Sequence, residues 1–376
     1  MSEKIRVMTV LGTRPEAIKL APVIQRFNSD NRFESTLVVT AQHREMLDQV
    51  LSLYKLIPHE DLDLMTANQS LAKLTADIFT RLDPMLEKYT PHWVVVQGDT
   101  TTAMAAAMAA FYRRIKVAHV EAGLRTQDKW QPFPEEINRK VISSIADLQF
   151  APTEWARGNL IRDGVPDSAI KVTGNTIIDA LNQVTALPMP VEIKELLENK
   201  EILSGQRKLV MVTAHRRENF GQPIRAICQA LKTLAVEFSD EIEIVYPVHL
   251  NPNIYQPVHE ALNGIANISL LEPLEYLPLV HLLKQARLIL TDSGGIQEEA
   301  TGLGKPCLVL REVTERPEGV QAGVLTLVGT DPEKILVEAR KALKDDEAYQ
   351  RISHAPNPYG DGLAAQRIVS FIHESS

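Results

Sequence analysis

Cysteine is scarce in this 376-residue chain: only Cys228 and Cys307 occur, far apart and without Cys-x-x-Cys spacing. That argues against a disulfide framework or a cysteine-built zinc site and predicts two small core residues instead. Positive charge is also short. With 40 Lys and Arg against 48 Asp and Glu the formal net charge is -8, so no general nucleic-acid partner is expected, although local basic patches could still grip phosphates. No apolar run is long enough to span a bilayer; even the Ala-rich stretch from Thr102 to Tyr112 is short and ends at Arg113 and Arg114. The opening MSEKIRVMTV runs straight into a strand pattern without a signal-peptide cleavage region, so a cytoplasmic protein with no membrane contact is expected. Convincing internal repeats and low-complexity tracts are missing as well.

Several chemical signatures are missing too. The first turn reads GTRPEA rather than GxGxxG, GLGKP lacks the spacing of a P-loop and precedes a strand, and HExxH does not occur. Nicotinamide redox, P-loop phosphoryl transfer and standard zinc hydrolysis lose support, and neither cofactor nor metal is expected.

What is present is the composition of a globular protein, 44% hydrophobic and 23% charged, at a length that suits two domains. Short β-branched runs alternate with segments of helical period. Ile5 to Leu11, Ser35 to Thr40, Trp93 to Gln97, Lys116 to Val120 and Leu148 to Ala151 read as buried strands, separated by helices such as Ala17 to Asn28, Thr101 to Tyr112 and Glu135 to Ile145. A polar, Pro-containing stretch from Pro188 to Lys208 reads as a linker. The alternation then restarts with strands at Lys208 to Val212, Ile242 to Tyr246, Ile268 to Leu270, Leu288 to Leu290 and Pro306 to Leu310, and Gly362 to Ser375 reads as a closing helix. The expected fold class is α/β: two doubly wound, Rossmann-like domains facing a cleft, residues 1–175 and 176–359, with residues 360–376 packing back on the first.

Ligands of open α/β sheets sit beyond the carboxyl ends of strands, so the residues that follow each strand carry most weight. Here they are reactive types. GTRPEAIK supplies Arg14 and Lys19, QGDTTT supplies Asp99, EAGLRT supplies Glu121, WQPFPEEINR supplies Glu135, Glu136 and Arg139, and TAHRREN supplies His215, Arg216 and Arg217. The most informative stretch is TDSGGIQEEA, where an apolar run empties into Ser293, Gly294 and Gly295 and opens a helix bearing Glu299. Glycines there allow close approach of a ligand, free N–H groups of a first helical turn favour an anion, and a Glu one turn later can accept from sugar hydroxyls. Each residue also has a structural reading: Asp99 and the threonines could cap a helix, Glu135 and Glu136 could complement a helix dipole, and His215 could be a satisfied structural histidine. The structural reading weakens when such residues follow strand ends in both halves.

GTRPEAIK, TAQHREMLDQV, GDTTT, HVEAGLRT, PEEINR, TGNTIIDAL, AHRREN, YPVHLNPN, LTDSGGIQEEA, TERPEG and NPYGDG occur in this order along nearly the whole chain. Together they resemble the bacterial non-hydrolysing UDP-N-acetylglucosamine 2-epimerases. The resemblance implies a fold of the glycosyltransferase-B class, a homodimer, and interconversion of UDP-N-acetylglucosamine with UDP-N-acetylmannosamine, with UDP-N-acetylglucosamine and UDP as ligands. It assigns catalysis to Asp99, Glu121, Glu135 and His215. The chemistry gives the carboxylates proton transfer and His215 a part in easing departure of UDP, without assigning a carboxylate to either face of the sugar. Arg14, Lys19 and Arg139 would neutralise phosphate or orient the sugar. Ser293, Gly294 and Gly295 with His215 would hold the diphosphate, Glu299 would bind ribose, and Arg316 is a further candidate. Gln42 and His43 suit an allosteric second UDP-N-acetylglucosamine, although Glu45 and Asn68 stand where strongly regulated members carry Gln and Arg. Leu279 replaces a Phe expected to pack on uracil. A glycosyltransferase of the same fold, a hydrolysing epimerase and a non-catalytic sensor of nucleotide sugars remain alternatives.

Overall fold

The computed structural model describes residues 3–40, 44–64 and 69–376. Gln42 and His43 lie outside the described residues. The chain divides into one unit of Met1–Ala180 with Tyr359–Ser376 and a second of Leu181–Pro358.

The first unit carries strands β1 (Ile5–Leu11), β2 (Phe33–Val39), β3 (Glu60–Asp61), β4 (Trp93–Gln97), β5 (Lys116–Val120), β6 (Leu148–Ala151) and β7 (Ile170–Val172). They form one all-parallel sheet in the order β3-β2-β1-β4-β5-β6-β7. β4, WVVVQ, is buried along its whole length, as expected of a strand with helices on both faces. One face is covered by the helix Thr101–Tyr112, whose alanines let the helix lie close on Met8, Val10, Val94 and Val96.

The second unit repeats the plan with β8 (Lys208–Thr213), β9 (Ile242–Pro247), β10 (Ile268–Leu271), β11 (Ala286–Thr291), β12 (Cys307–Val309) and β13 (Leu325–Leu327). The order is β10-β9-β8-β11-β12-β13, again all parallel. Alternate residues of one strand feed opposite cores: Val210 and Val212 pack with Ile224 and Leu231 of the helix Gln222–Glu237, while Leu209 and Met211 pack with Ile289 and Val309. That is the period-2 signature of a doubly covered strand.

The two buried cysteines are free, and each sits in a core, Cys228 on one face of the second sheet and Cys307 on the other. One expectation is corrected. The stretch read as a linker contains the helix Val191–Asn199, with Ile193 and Leu197 buried in the core shared with Leu209 and Met211. Pro190 stands just before it, where a missing N–H costs nothing, so the proline that suggested a loop marks a helix start. Among the described residues no helix is long and apolar enough to cross a membrane.

Candidate active site

In each sheet the strand order reverses once, between β1 and β4 and between β8 and β11. At such a switch point neighbouring connections leave in opposite directions and open a crevice at the carboxyl ends. The candidate residues gather at these two places.

In the first unit, Gly12 ends β1 and leads into the helix Arg14–Ser29. A Cβ on Gly12 would lie 2.3 Å from Thr40 Oγ1 and 2.5 Å from Thr102 Oγ1, so only glycine fits. Glu16, fully buried, accepts from Gly12 N at 3.0 Å, Thr13 N at 2.7 Å and Thr100 Oγ1 at 2.6 Å. It therefore ties the β1 turn to the β4 turn. Burial raises its pKa above the ordinary value, opposed by those hydrogen bonds.

β4 and β5 pair Gln97 with Val120, which sets Asp99 and Glu121 on neighbouring strand ends. Glu121 accepts from the Lys19 ammonium, from the Gln97 amide, and from Asn175 Nδ2 at 2.9 Å. Asp99 is gripped by Arg139, with Nη2 at 2.6 Å and Nε at 2.9 Å from Oδ2, and its main-chain carbonyl accepts from Asn138 Nδ2 at 2.8 Å. Arg139 also reaches Glu136 Oε2 at 3.2 Å. Glu135 and Glu136 open the helix Glu135–Ile145, yet they diverge. Glu136 is fully buried and accepts from Thr126 N and Gln127 N, while Glu135 is half-buried. Behind them His119 bonds the Gly98 carbonyl at 2.7 Å; burial pushes its pKa down to about 4, so it is neutral at physiological pH.

In the second unit, Asp292 follows β11 and is fully buried. Its Oδ2 accepts from His215 N, Arg216 N and Asn219 Nδ2, each at 2.8 Å, so one carboxylate shapes the loop after β8. The His215 ring stacks on His249 at 5.4 Å and 22°. Burial lowers the His215 pKa, opposed by Asp292 and reinforced by His249 and Arg216. Arg216 is itself pushed down, by burial first and then by Arg311 and Arg316. Two guanidinium groups acting on a third, buried one make a cationic cluster suited to an anion.

Ser293 is the N-cap of the helix Gly294–Gly302, which carries Glu298 and Glu299, both buried. The two glycines differ. A Cβ on Gly294 would lie 2.6 Å from Arg316 Nη1, whereas one on Gly295 meets nothing closer than Ser293 Oγ at 4.0 Å. Gly294 therefore makes room for an arginine, and Gly295 leaves open space at the helix start. Arg316 is held by Glu298 at 3.0 Å and Glu315 at 2.7 Å.

The structure thus brings Asp99, Glu121, Lys19 and Arg139 to one switch point and His215, Ser293, Gly294 and Arg316 to the other. Lys19 and Arg139, expected as grips for phosphate or sugar, here neutralise the two candidate catalytic carboxylates. Arg14 opens its helix half-buried. Sequence reasoning passed over Asp292, Asn175, Gln97, Glu16 and His249. Four of these stand inside motifs quoted for the resemblance: Glu16 in GTRPEAIK, Asp292 in LTDSGGIQEEA, Asn175 in TGNTIIDAL and His249 in YPVHLNPN. Among the described residues no group of three or more His, Cys, Asp or Glu side chains could share a metal ion.

Comparison with known proteins agrees with these motifs. A family model described as UDP-N-acetylglucosamine 2-epimerase matches residues 25–373. The chain is 51% identical over 367 residues to the UDP-N-acetylglucosamine 2-epimerase of Salmonella typhimurium, covering 97% of each protein. It is similar to the crystal structure of the Neisseria meningitidis UDP-GlcNAc 2-epimerase bound to UDP-GlcNAc, with a TM-score of 0.92 at 45% identity over 98% of this chain and 100% of that one. The Methanocaldococcus jannaschii UDP-GlcNAc 2-epimerase in complex with UDP-GlcNAc and UDP gives a TM-score of 0.83 at 33% identity, again over 98% and 100%. Likeness of this extent places the chain in the UDP-N-acetylglucosamine 2-epimerase family.

Proposed function

We propose that this protein interconverts UDP-N-acetylglucosamine and UDP-N-acetylmannosamine by inverting carbon 2. The observation that carries the reading is the near-full-length identity to the Salmonella typhimurium protein of that name. The geometry fits the chemistry. Carbon 2 is not next to a carbonyl, so proton removal alone would leave an unstabilised carbanion. Loss of UDP from carbon 1 as the carbon 2 proton departs gives a C1–C2 double bond, and the C1–O bonding pair leaves on the diphosphate oxygen. Delivery of a proton to the opposite face of carbon 2, with return of UDP to carbon 1, completes the inversion.

Asp99, Glu121 and Glu135 serve proton transfer in this scheme. Arg14 orients the sugar or its phosphates, and Lys19 and Arg139 do so once substrate exchanges with their carboxylate partners. The helix start at Ser293 and Gly295, with His215, receives the diphosphate; Glu299 binds ribose; Arg316 supports the turn through Gly294. His215, disposed to stay neutral in the free protein, gains proton affinity when an anion arrives beside it, which suits a group that eases departure of UDP. The reading includes a homodimer working in the cytoplasm and an allosteric site at Gln42 and His43.

The test is turnover of UDP-N-acetylglucosamine in deuterated water without added nicotinamide, followed by NMR. The expected product is UDP-N-acetylmannosamine carrying deuterium at carbon 2. Absence of the label would refute elimination and reprotonation. Free N-acetylmannosamine with UDP as the main product would make the protein a hydrolysing epimerase, and a product that depends on an added acceptor would make it a glycosyltransferase.

A further inference from the structure

The segment TGNT, Thr173 to Thr176, follows β7 and has no part in the scheme above. Its Asn175 is buried, and its amide is oriented from both ends: Oδ1 accepts from Ile177 N at 3.1 Å and Nδ2 donates to Glu121 Oε1 at 2.9 Å. A flipped amide would set donor against donor at Ile177 and acceptor against acceptor at Glu121, so the two bonds fix one orientation. The main chain is anchored as well, because Asn175 N donates to the Tyr359 carbonyl at 2.7 Å.

Glu121 has a φ of 62°, in the left-handed region, where a non-glycine residue stays only if its surroundings hold it. Three donors from three different segments converge on its carboxylate: Lys19 from the helix Arg14–Ser29, Gln97 from β4, and Asn175 from the β7 connection. A protonated carboxyl would turn its O–H towards one of these donors, so the shell suits the ionised form. Among the described residues, other charged or titratable groups at these strand ends include Asp99, paired to Arg139, Glu16, bonded to Thr100, Arg125, paired to Asp163, and His119 on β5, neutral above about pH 4.

We propose that Asn175 is a positioning residue that keeps Glu121 ionised and aimed, so that Glu121 begins turnover as the proton acceptor. The inference rests on the epimerase reading for its consequence, but its physical content can be measured separately. Asn175→Asp keeps the acceptor for Ile177 N and replaces only the donor that faces Glu121. Asn175→Ala removes that donor without adding charge, and carries the comparison if the aspartate variant does not fold. The carboxyl of Glu121 is titrated by NMR in protein labelled with 13C-glutamate, its signal identified by its loss in Glu121→Gln.

Losing a donor or gaining a like charge disfavours the carboxylate, so the titration midpoint of Glu121 should rise, by about one unit or more in Asn175→Asp and by less in Asn175→Ala. The acidic limb of kcat should move up by the same amount, so that kcat on that limb, well below both midpoints, falls roughly tenfold or more while kcat at higher pH and KM change little. A midpoint unmoved in both variants, with only the melting temperature lowered, overturns the proposal, because Asn175 would then merely brace the β7 turn. A shifted midpoint with an unmoved acidic limb overturns the claim that Glu121 starts as the acceptor. Failure of the wild-type protein to form the epimer would instead sink the epimerase reading, while the Glu121 titration would still decide whether Asn175 holds that carboxylate.

Discussion

The two switch points solve opposite electrostatic problems with different parts of the chain. In the first unit Asp99 and Glu121 are held by side chains, Arg139 on one and Lys19, Gln97 and Asn175 on the other. In the second unit the carboxylate of Asp292 is spent largely on backbone, on the N–H groups of His215 and Arg216 together with the Asn219 amide. A side-chain partner can exchange for a substrate group without unfolding anything. A buried carboxylate that shapes a loop cannot. The first arrangement suits groups that must change protonation during a reaction, and the second suits a fixed receptor for an anion.

Substitutions can break this contrast. The largest effect is expected from Asp99→Asn and Glu121→Gln, which keep shape and remove a proton carrier: kcat should fall by roughly 10² to 10⁴ while UDP affinity and the far-UV spectrum stay near wild type. If either variant lost UDP binding as well, that carboxylate would be a fixed part of the anion receptor, like Asp292, and the contrast would fail.

A second test concerns the pH response of the first unit. His119 has a folded pKa of about 4 against an ordinary 6.5. Between those values the unfolded chain binds the extra proton, so stability is lost as pH falls from 6.5 towards 4, by on the order of 3 kcal/mol at the lower end. Glu16 acts in the opposite sense, because its raised pKa lets the folded state take a proton first. Thermal melts of His119→Gln against wild type across that window isolate the histidine, and the variant should lose less stability on acidification.

Smaller effects belong to the second unit. Asp292→Ala strands three buried or partly buried donors and should cost about 2 kcal/mol of stability, with UDP binding weakened roughly tenfold by calorimetry. Gly294→Ala forces the Arg316 guanidinium aside and should weaken UDP about fivefold, close to 1 kcal/mol. An affinity unchanged in both would remove this turn from the binding site.

Much of the fold was legible because central strands are apolar along their length. The bounds expected for β1, β4, β5 and β6 are those observed. The short edge strands β3, β7 and β13 carry too few residues for a period to register, and the helix Val191–Asn199 was hidden by prolines and charge around its two buried anchors, Ile193 and Leu197. The candidate residues at strand ends could be named because topology puts ligands there. Their partners could not. That Lys19 faces Glu121, or that Asp292 holds the His215 loop, depends on which strands lie side by side, and only the sheet order supplies that. Glu135 and Glu136 make the same point at shorter range, since one turn of helix sends neighbouring carboxylates to different surroundings.

The deep placement of the two thiols has a practical consequence. Burial pushes Cys228 up to about 12 and Cys307 higher still, so neither offers thiolate to an alkylating reagent while the protein is folded. The native chain is therefore a silent background for maleimide chemistry. A cysteine introduced at Tyr112 in the first unit and another at Val236 in the second, both well exposed, could carry a donor and acceptor dye without removing any natural residue of the reactive centre. Energy transfer between them would report, molecule by molecule, how the spacing of the two units responds when nucleotide is added.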